Sequence, residues 1–116
     1  MSNLRTRIVV VSTRHRSTAK ALVRDGHLVE IATSATEAMA RLRHLQFDLA
    51  IVEDILGGDS ANPVTDELDR KSIPYIVWRS PSDQTSAFPN ARVQLQQSSS
   101  LALLQAVVRS LTNGAG

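Results

Sequence analysis

Two adjacent carboxylates, Glu53 and Asp54, end an apolar run, Leu49-Ala50-Ile51-Val52, and precede a glycine pair, Gly57-Gly58. Carboxylates in such a place suit nucleophilic chemistry or the binding of a hard cation. Four consecutive apolar residues fit a strand covered on both faces, as central parallel strands are. The carboxyl ends of such strands line the functional crevice of an open parallel sheet, so both acids are expected at its mouth. Neighbouring strand residues point to opposite faces, which argues against joint chelation by this pair. Two further apolar runs, Ile8-Val9-Val10-Val11 and Ile76-Val77-Trp78, end at Ser12-Thr13 and at Arg79-Ser80. Any function is to be sought where these ends meet.

Other chemistry is poorly supported. His15, His27 and His44 are scattered without metal-ligand spacing. Ser12, Ser80 and the run Ser98-Ser99-Ser100 have no His-Asp arrangement to activate them as nucleophiles. Gly57-Gly58 lacks the spacing of a phosphate-cradling loop. With no cysteine, thiolate metal sites and disulfides are excluded. The residues therefore imply neither a metal nor a cofactor, and no enzyme.

The elements that must position these side chains follow from periodicity. Residues 6–11 read as a buried strand and 16–25 as a short helix with Ala19, Leu22 and Val23 on one face. Leu28 to Ala32 alternates as a strand. Ser34 and Glu37 have the spacing of a capping box and open a helix that runs to about Leu45. After the acidic strand end, Gly57 to Pro63 reads as a loop, and about Val64 to Arg70 as a short helix. Tyr75 to Trp78 is the fourth strand. Residues 79–90 carry two prolines and no helical stripe, so they read as loop. Ala91 to Gln96 alternates as an edge strand. Ser99 or Ser100 caps a last helix, about 101–112, closed by Asn113-Gly114.

The chain of 116 residues reads as a single domain, 1–116, of the α/β class. Strands alternating with helices imply right-handed crossovers and a doubly wound, five-stranded parallel sheet, with flavodoxin-like order 2-1-3-4-5. Aromatics make up 3% of the residues, so the core is built from Val, Leu, Ile and Ala. No apolar run approaches the ~20 residues that span a bilayer. Arg5 and Arg7 interrupt any signal-like core at the start, and a cytoplasmic protein is expected.

The net charge of +2 hides an asymmetry. Residues 1–24 hold Arg5, Arg7, Arg14, Arg16, Lys20 and Arg24 and no acid; residues 48–69 hold Asp48, Glu53, Asp54, Asp59, Asp66, Glu67 and Asp69 and no base. A basic pole can attract nucleic acid or an acidic partner. A solvated helix face accounts for it more simply.

In order and spacing these segments resemble the receiver domain of two-component response regulators. Arg7-Ile8-Val9-Val10-Val11 is similar to that family's first strand, and Thr33 to Asp48, with Glu37-Ala38-Met39 and Leu42, to its second helix. Asp48-Leu49-Ala50-Ile51-Val52-Glu53 is similar to the third strand, and Ile73-Pro74-Tyr75-Ile76-Val77 to the fourth. The resemblance implies a phosphoacceptor position at Glu53, which is one methylene longer than the family's aspartate. It sets Ser12 and Thr13 where an acidic pair holds Mg²⁺. Arg79, or Ser80 one residue on, takes the place of a switch Thr or Ser, and Gln97 that of a lysine. The fourth helix is short or missing.

Phosphoryl transfer to a carboxylate brings anions together and needs a divalent cation to neutralise them. Ser12 and Thr13 remove two negative charges from that cation's site. The resemblance thus implies a degenerate, phosphorylation-independent receiver, a bacterial protein-interaction module whose partners are signalling proteins. Self-association through the first or last helix is the other expected contact. Two readings of Glu53 stand open: a fixed carboxylate that imitates the phosphorylated state, paired with Arg79 or Arg14, or a solvated side chain at a decayed site. Asp54 is expected to face solvent, and Trp78 to belong to the core. The alternative function is a nucleic-acid or acidic-partner binder using Arg5, Arg14, Arg16, Lys20 and Arg24.

Overall fold

The computed structural model describes residues 6–13, 16–80, 87–96 and 99–113. The elements in chain order are β1 (Arg7–Val11), α1 (Arg16–Arg24), β2 (Leu28–Ala32), α2 (Ala35–His44), β3 (Leu49–Glu53), β4 (Ile55–Leu56), β5 (Asp59–Ser60), α3 (Asn62–Arg70), β6 (Tyr75–Arg79), β7 (Val93–Gln96) and α4 (Leu101–Asn113). Five strands form one parallel sheet in the order β2-β1-β3-β6-β7. Counting those five alone, this is the expected 2-1-3-4-5 topology.

The pleat sorts the apolar runs into two cores. Val9 and Val11 of β1 and Ala50 and Val52 of β3 pack with Ala38, Leu42, Val64 and Leu68 of α2 and α3. Ile8, Val10, Leu49 and Ile51 face the other way, onto Leu22 of α1 and Leu104 and Val108 of α4. Every β3 side chain is buried, which is why this strand reads as an unbroken apolar run and not as an alternation. Trp78 lies in the second core at 4% exposure, the place expected of it.

Several local readings change. The stretch 57–63, expected as loop, begins with a β4–β5 hairpin turned by Gly57 and Gly58 at φ +60° and +91°. Both central positions of such a two-residue turn need positive φ, which glycine adopts without strain. The third helix starts at Asn62, earlier than the apolar pattern suggests, because Pro63 in its first turn is preset for helix. Ser34 caps α2 by accepting from the Glu37 amide. The Glu37 carboxylate, however, takes the Thr33 amide at 2.6 Å and the Thr33 hydroxyl at 2.8 Å instead of the Ser34 amide. These two donors, backbone first, hold its pKa below the ordinary carboxylate value. Ser100 caps α4 through the Leu103 amide. Between β6 and β7 there is no helix among the described residues; 81–86 lie outside them.

Candidate functional site

The crevice is built from the ends of β1, β3 and β6. Pleat phase decides what meets there. Glu53 continues the Leu49–Ile51 face of β3, and Ser12 continues the Ile8–Val10 face of β1. Because Val11 pairs with Val52, the two side chains are brought together across the parallel pair. The Ser12 hydroxyl donates to Glu53 Oε1 at 3.1 Å, the Thr13 amide to the same oxygen at 3.1 Å, and the Thr13 hydroxyl at 3.2 Å. Glu53 is 3% exposed and Ser12 3%. This corrects the reading of Glu53 as a solvated strand end: its extra methylene lets the carboxylate reach the β1 end and be buried there. Ser12 is itself fixed by its amide, which donates to the Ala32 carbonyl of β2 at 2.9 Å.

Asp54 goes the other way, and it is not solvent-facing as expected. It is 0% exposed. Its amide donates to the Trp78 carbonyl at 2.8 Å, so the chain stays paired with β6 one residue beyond the strand end. Its Oδ2 accepts the Ser80 amide at 2.8 Å and the Ser80 hydroxyl at 3.3 Å, and its carbonyl accepts the Ala61 amide at 2.8 Å. Asp54 thereby ties together the end of β3, the end of β6 and the entry to α3. Ser80 therefore binds the acid next to Glu53. The Arg79 guanidinium lies over the Phe88 ring, 5.3 Å from its centroid. Gln97 and Arg14 lie outside the described residues.

The loop that follows is pinned as well. Ser60 donates its hydroxyl to Asn62 Oδ1 at 2.6 Å, and Asn62 Nδ2 donates to the Ala87 carbonyl at 3.0 Å. Sequence reasoning missed both this link and the Asp54–Ser80 contact. The Ser-x-Asn spacing at Ser60 and Asn62, a usual side-chain turn pattern, was the available signal for the first.

The donor set does not suit Mg²⁺, which takes oxygen ligands, carboxylates foremost, in octahedral array. At the β1 end Glu53 Oε1 is met by two neutral hydroxyls and an amide, so Ser12 and Thr13 bring donors and no carboxylate of their own. Among the described residues no cluster of three His, Cys, Asp or Glu is placed to hold a metal. What Ser12 and Thr13 do chemically is stabilise one buried carboxylate by hydrogen bonds from the β1 end.

No family model matches the sequence, and no curated protein matches it. Solved structures do. A signal receiver domain from Vibrio parahaemolyticus superposes with a TM-score of 0.82 at 16% identity, covering 97% of this chain and 93% of that one. A two-component response regulator from Clostridium difficile gives 0.81 at 16%, covering 94% and 97%. A CheY-like response regulator receiver domain protein from Methanospirillum hungatei JF-1 gives 0.76 at 20%, covering 95% and 96%. The chain has the receiver fold, matched over nearly its whole length. Among the described residues no helix is long and apolar enough to cross a membrane.

Proposed function

We propose that the protein is a degenerate receiver: a non-enzymatic, cytoplasmic interaction module of two-component-type signalling that does not use phosphate as its switch. The observation that carries this reading is the set of hydrogen bonds that Ser12 and Thr13 donate to Glu53 Oε1. An acceptor carboxylate has to be open to an incoming phosphoryl group and accompanied by a divalent ion that offsets the meeting of anions. Here the side chain is buried, and Ser12 and Thr13, which stand where the family's acidic pair is expected, bring hydroxyls to it. Asp54 is engaged by Ser80 and lies on the opposite pleat face, so it does not replace the missing charge.

Regulation then falls to partner binding, abundance or self-association. Leu101 and Leu103, exposed at the start of α4, are the apolar residues a second copy would cover; sedimentation at rising concentration tests that contact. For the main reading, the protein is incubated with Mg²⁺ and acetyl phosphate, or with beryllofluoride, and examined by intact-mass spectrometry and fluorine NMR. No stoichiometric adduct is expected. An acyl phosphate on Glu53 or Asp54 would overturn it.

A further inference from the structure

Strand β2 forms one edge of the sheet, and α1 leaves part of its face open. Between them runs a groove of about 580 Å³, floored by Ala19 and Val23 of α1 and by Val29 and Ile31 of β2. Val23 is 56% exposed and Ile31 37%, so the floor is apolar surface in contact with water. Arg16, Lys20 and Arg24 line the same groove. Their spacing of four residues sets them in one row on the helix, spanning about 12 Å. None of the three forms an ion pair with any described residue.

We propose that this groove is a docking site for an amphipathic helix of a partner protein, its apolar stripe on the Ala19–Val23–Val29–Ile31 floor and its flanking Asp and Glu side chains opposite Arg16, Lys20 and Arg24. The proposal rests on the interaction-module reading and names a surface and a partner chemistry for it. Charge complementarity selects an acidic partner, since association is steered by opposite potentials. Helix-in-groove binding fits better than strand addition, because the edge of β2 is partly blocked. Leu28 donates to Thr6 and Ala32 accepts from Ser12, so the odd-numbered residues of β2 turn their backbone groups outward. Of these, the Ile31 carbonyl already accepts Arg41 Nε, and beyond the strand the Thr33 amide donates to Glu37.

A second copy of this chain is a poorer occupant. Its own acidic helix, α3, has its apolar stripe of Val64 and Leu68 buried in the core, and Glu67 is engaged by Arg70 and Lys71. Nucleic acid would use the cations but has no use for the apolar floor.

The test uses the intact protein and two synthetic peptides of about 18 residues, long enough to hold helix alone. Both carry a Leu stripe, flanked by Glu in one and by Lys in the other. The Glu peptide is expected to shift the backbone amide NMR signals of Ala19, Val23, Val29 and Ile31 and to bind at least about tenfold tighter than the Lys peptide. Val23→Glu and, separately, Lys20→Glu are each expected to weaken it about tenfold, with unchanged thermal melting because both side chains are exposed. Equal binding of the two peptides, shifts confined to another face, or indifference to Val23→Glu would overturn the proposal. Duplex DNA is run in parallel; tight binding of DNA that Val23→Glu leaves intact reassigns the basic row to nucleic acid and overturns it too. Failure of the peptides leaves the module reading standing, whereas an acyl-phosphate adduct removes that reading whatever the peptides do.

Discussion

Replacing Ser12 with aspartate puts a second carboxylate against Glu53 and tests whether that corner of the crevice is as closed as its hydrogen bonds imply. The Ser12 hydroxyl oxygen lies 3.1 Å from Glu53 Oε1, and both residues are 3% exposed. The longer aspartate sets the two charges about 4 Å apart, which at an effective dielectric constant of about 20 is a repulsion of about 4 kcal/mol. Against an ordinary domain stability of about 5–15 kcal/mol this is a large fraction. It corresponds to a fall in melting temperature of about 15 °C for a domain of this size. Like charge favours the protonated form, so the folded-state pKa of the pair rises. The penalty is therefore absent well below the ordinary carboxylate range and grows as pH rises through it. Calorimetry or circular dichroism with EDTA at neutral and acid pH reads both effects. Added Mg²⁺ is expected to recover stability in Ser12→Asp, where two carboxylates converge, and to leave the wild type unchanged. A variant that melts with the wild type in EDTA at neutral pH would refute the burial of Glu53 against β1.

Asp54→Ala leaves the Ser80 amide without its carboxylate acceptor and is expected to cost about 2–3 kcal/mol in urea unfolding, with Asp54→Asn costing about 1 because an oxygen remains; equal losses would count against the contact. Tyr75, the one tyrosine in the chain, has its phenol pushed up to about 12, chiefly by burial and then by the nearby Asp69 carboxylate. The folded state then holds this proton more tightly than the unfolded chain. The associated stability, about 2 kcal/mol, is present below pH ~10 and is lost as pH climbs towards ~12. Tyrosinate absorbance against pH, compared in native protein and in urea, checks it, and identical midpoints would contradict it. Gly57→Ala meets no atom within 4 Å but must hold φ near +60°, so a loss of about 1–2 kcal/mol from backbone strain alone is expected in denaturant melts.

The sheet was legible because its central strands are short apolar runs with turn chemistry between them, and topology rules leave few ways to wind five such strands. The meeting of Ser12 with Glu53 was half legible. Pleat phase puts Ser12 with Ile8 and Val10, and Glu53 with Leu49 and Ile51, but only the observed pairing of Val11 with Val52 sets them side by side. The fate of Asp54 was not legible, because it is held by the amide of Ser80, just past the end of β6 and 26 residues later. Local polarity alone makes an acid before a Gly-Gly turn look solvated. The hairpin at Gly57-Gly58 escaped for a different reason: flanking strands of two residues are too short to show any period.

The two adjacent acids show how one strand end can send its charges to two different strands. Successive side chains leave β3 on opposite faces, so Glu53 meets the hydroxyls of Ser12 and Thr13, and Asp54 meets Ser80. Each carboxylate thus accepts hydrogen bonds from a different strand end. A divalent ion at Glu53 Oε1 would compete with three hydrogen bonds and would find the second acid directed towards Ser80. These donors hold the Glu53 carboxylate inward. Opening it to solvent would cost those bonds, about 1.5–3 kcal/mol for each to a charged acceptor. On the proposed reading the crevice stays in one state, and change in this molecule is better sought on surfaces that remain uncovered, such as the open face of β2 beside α1.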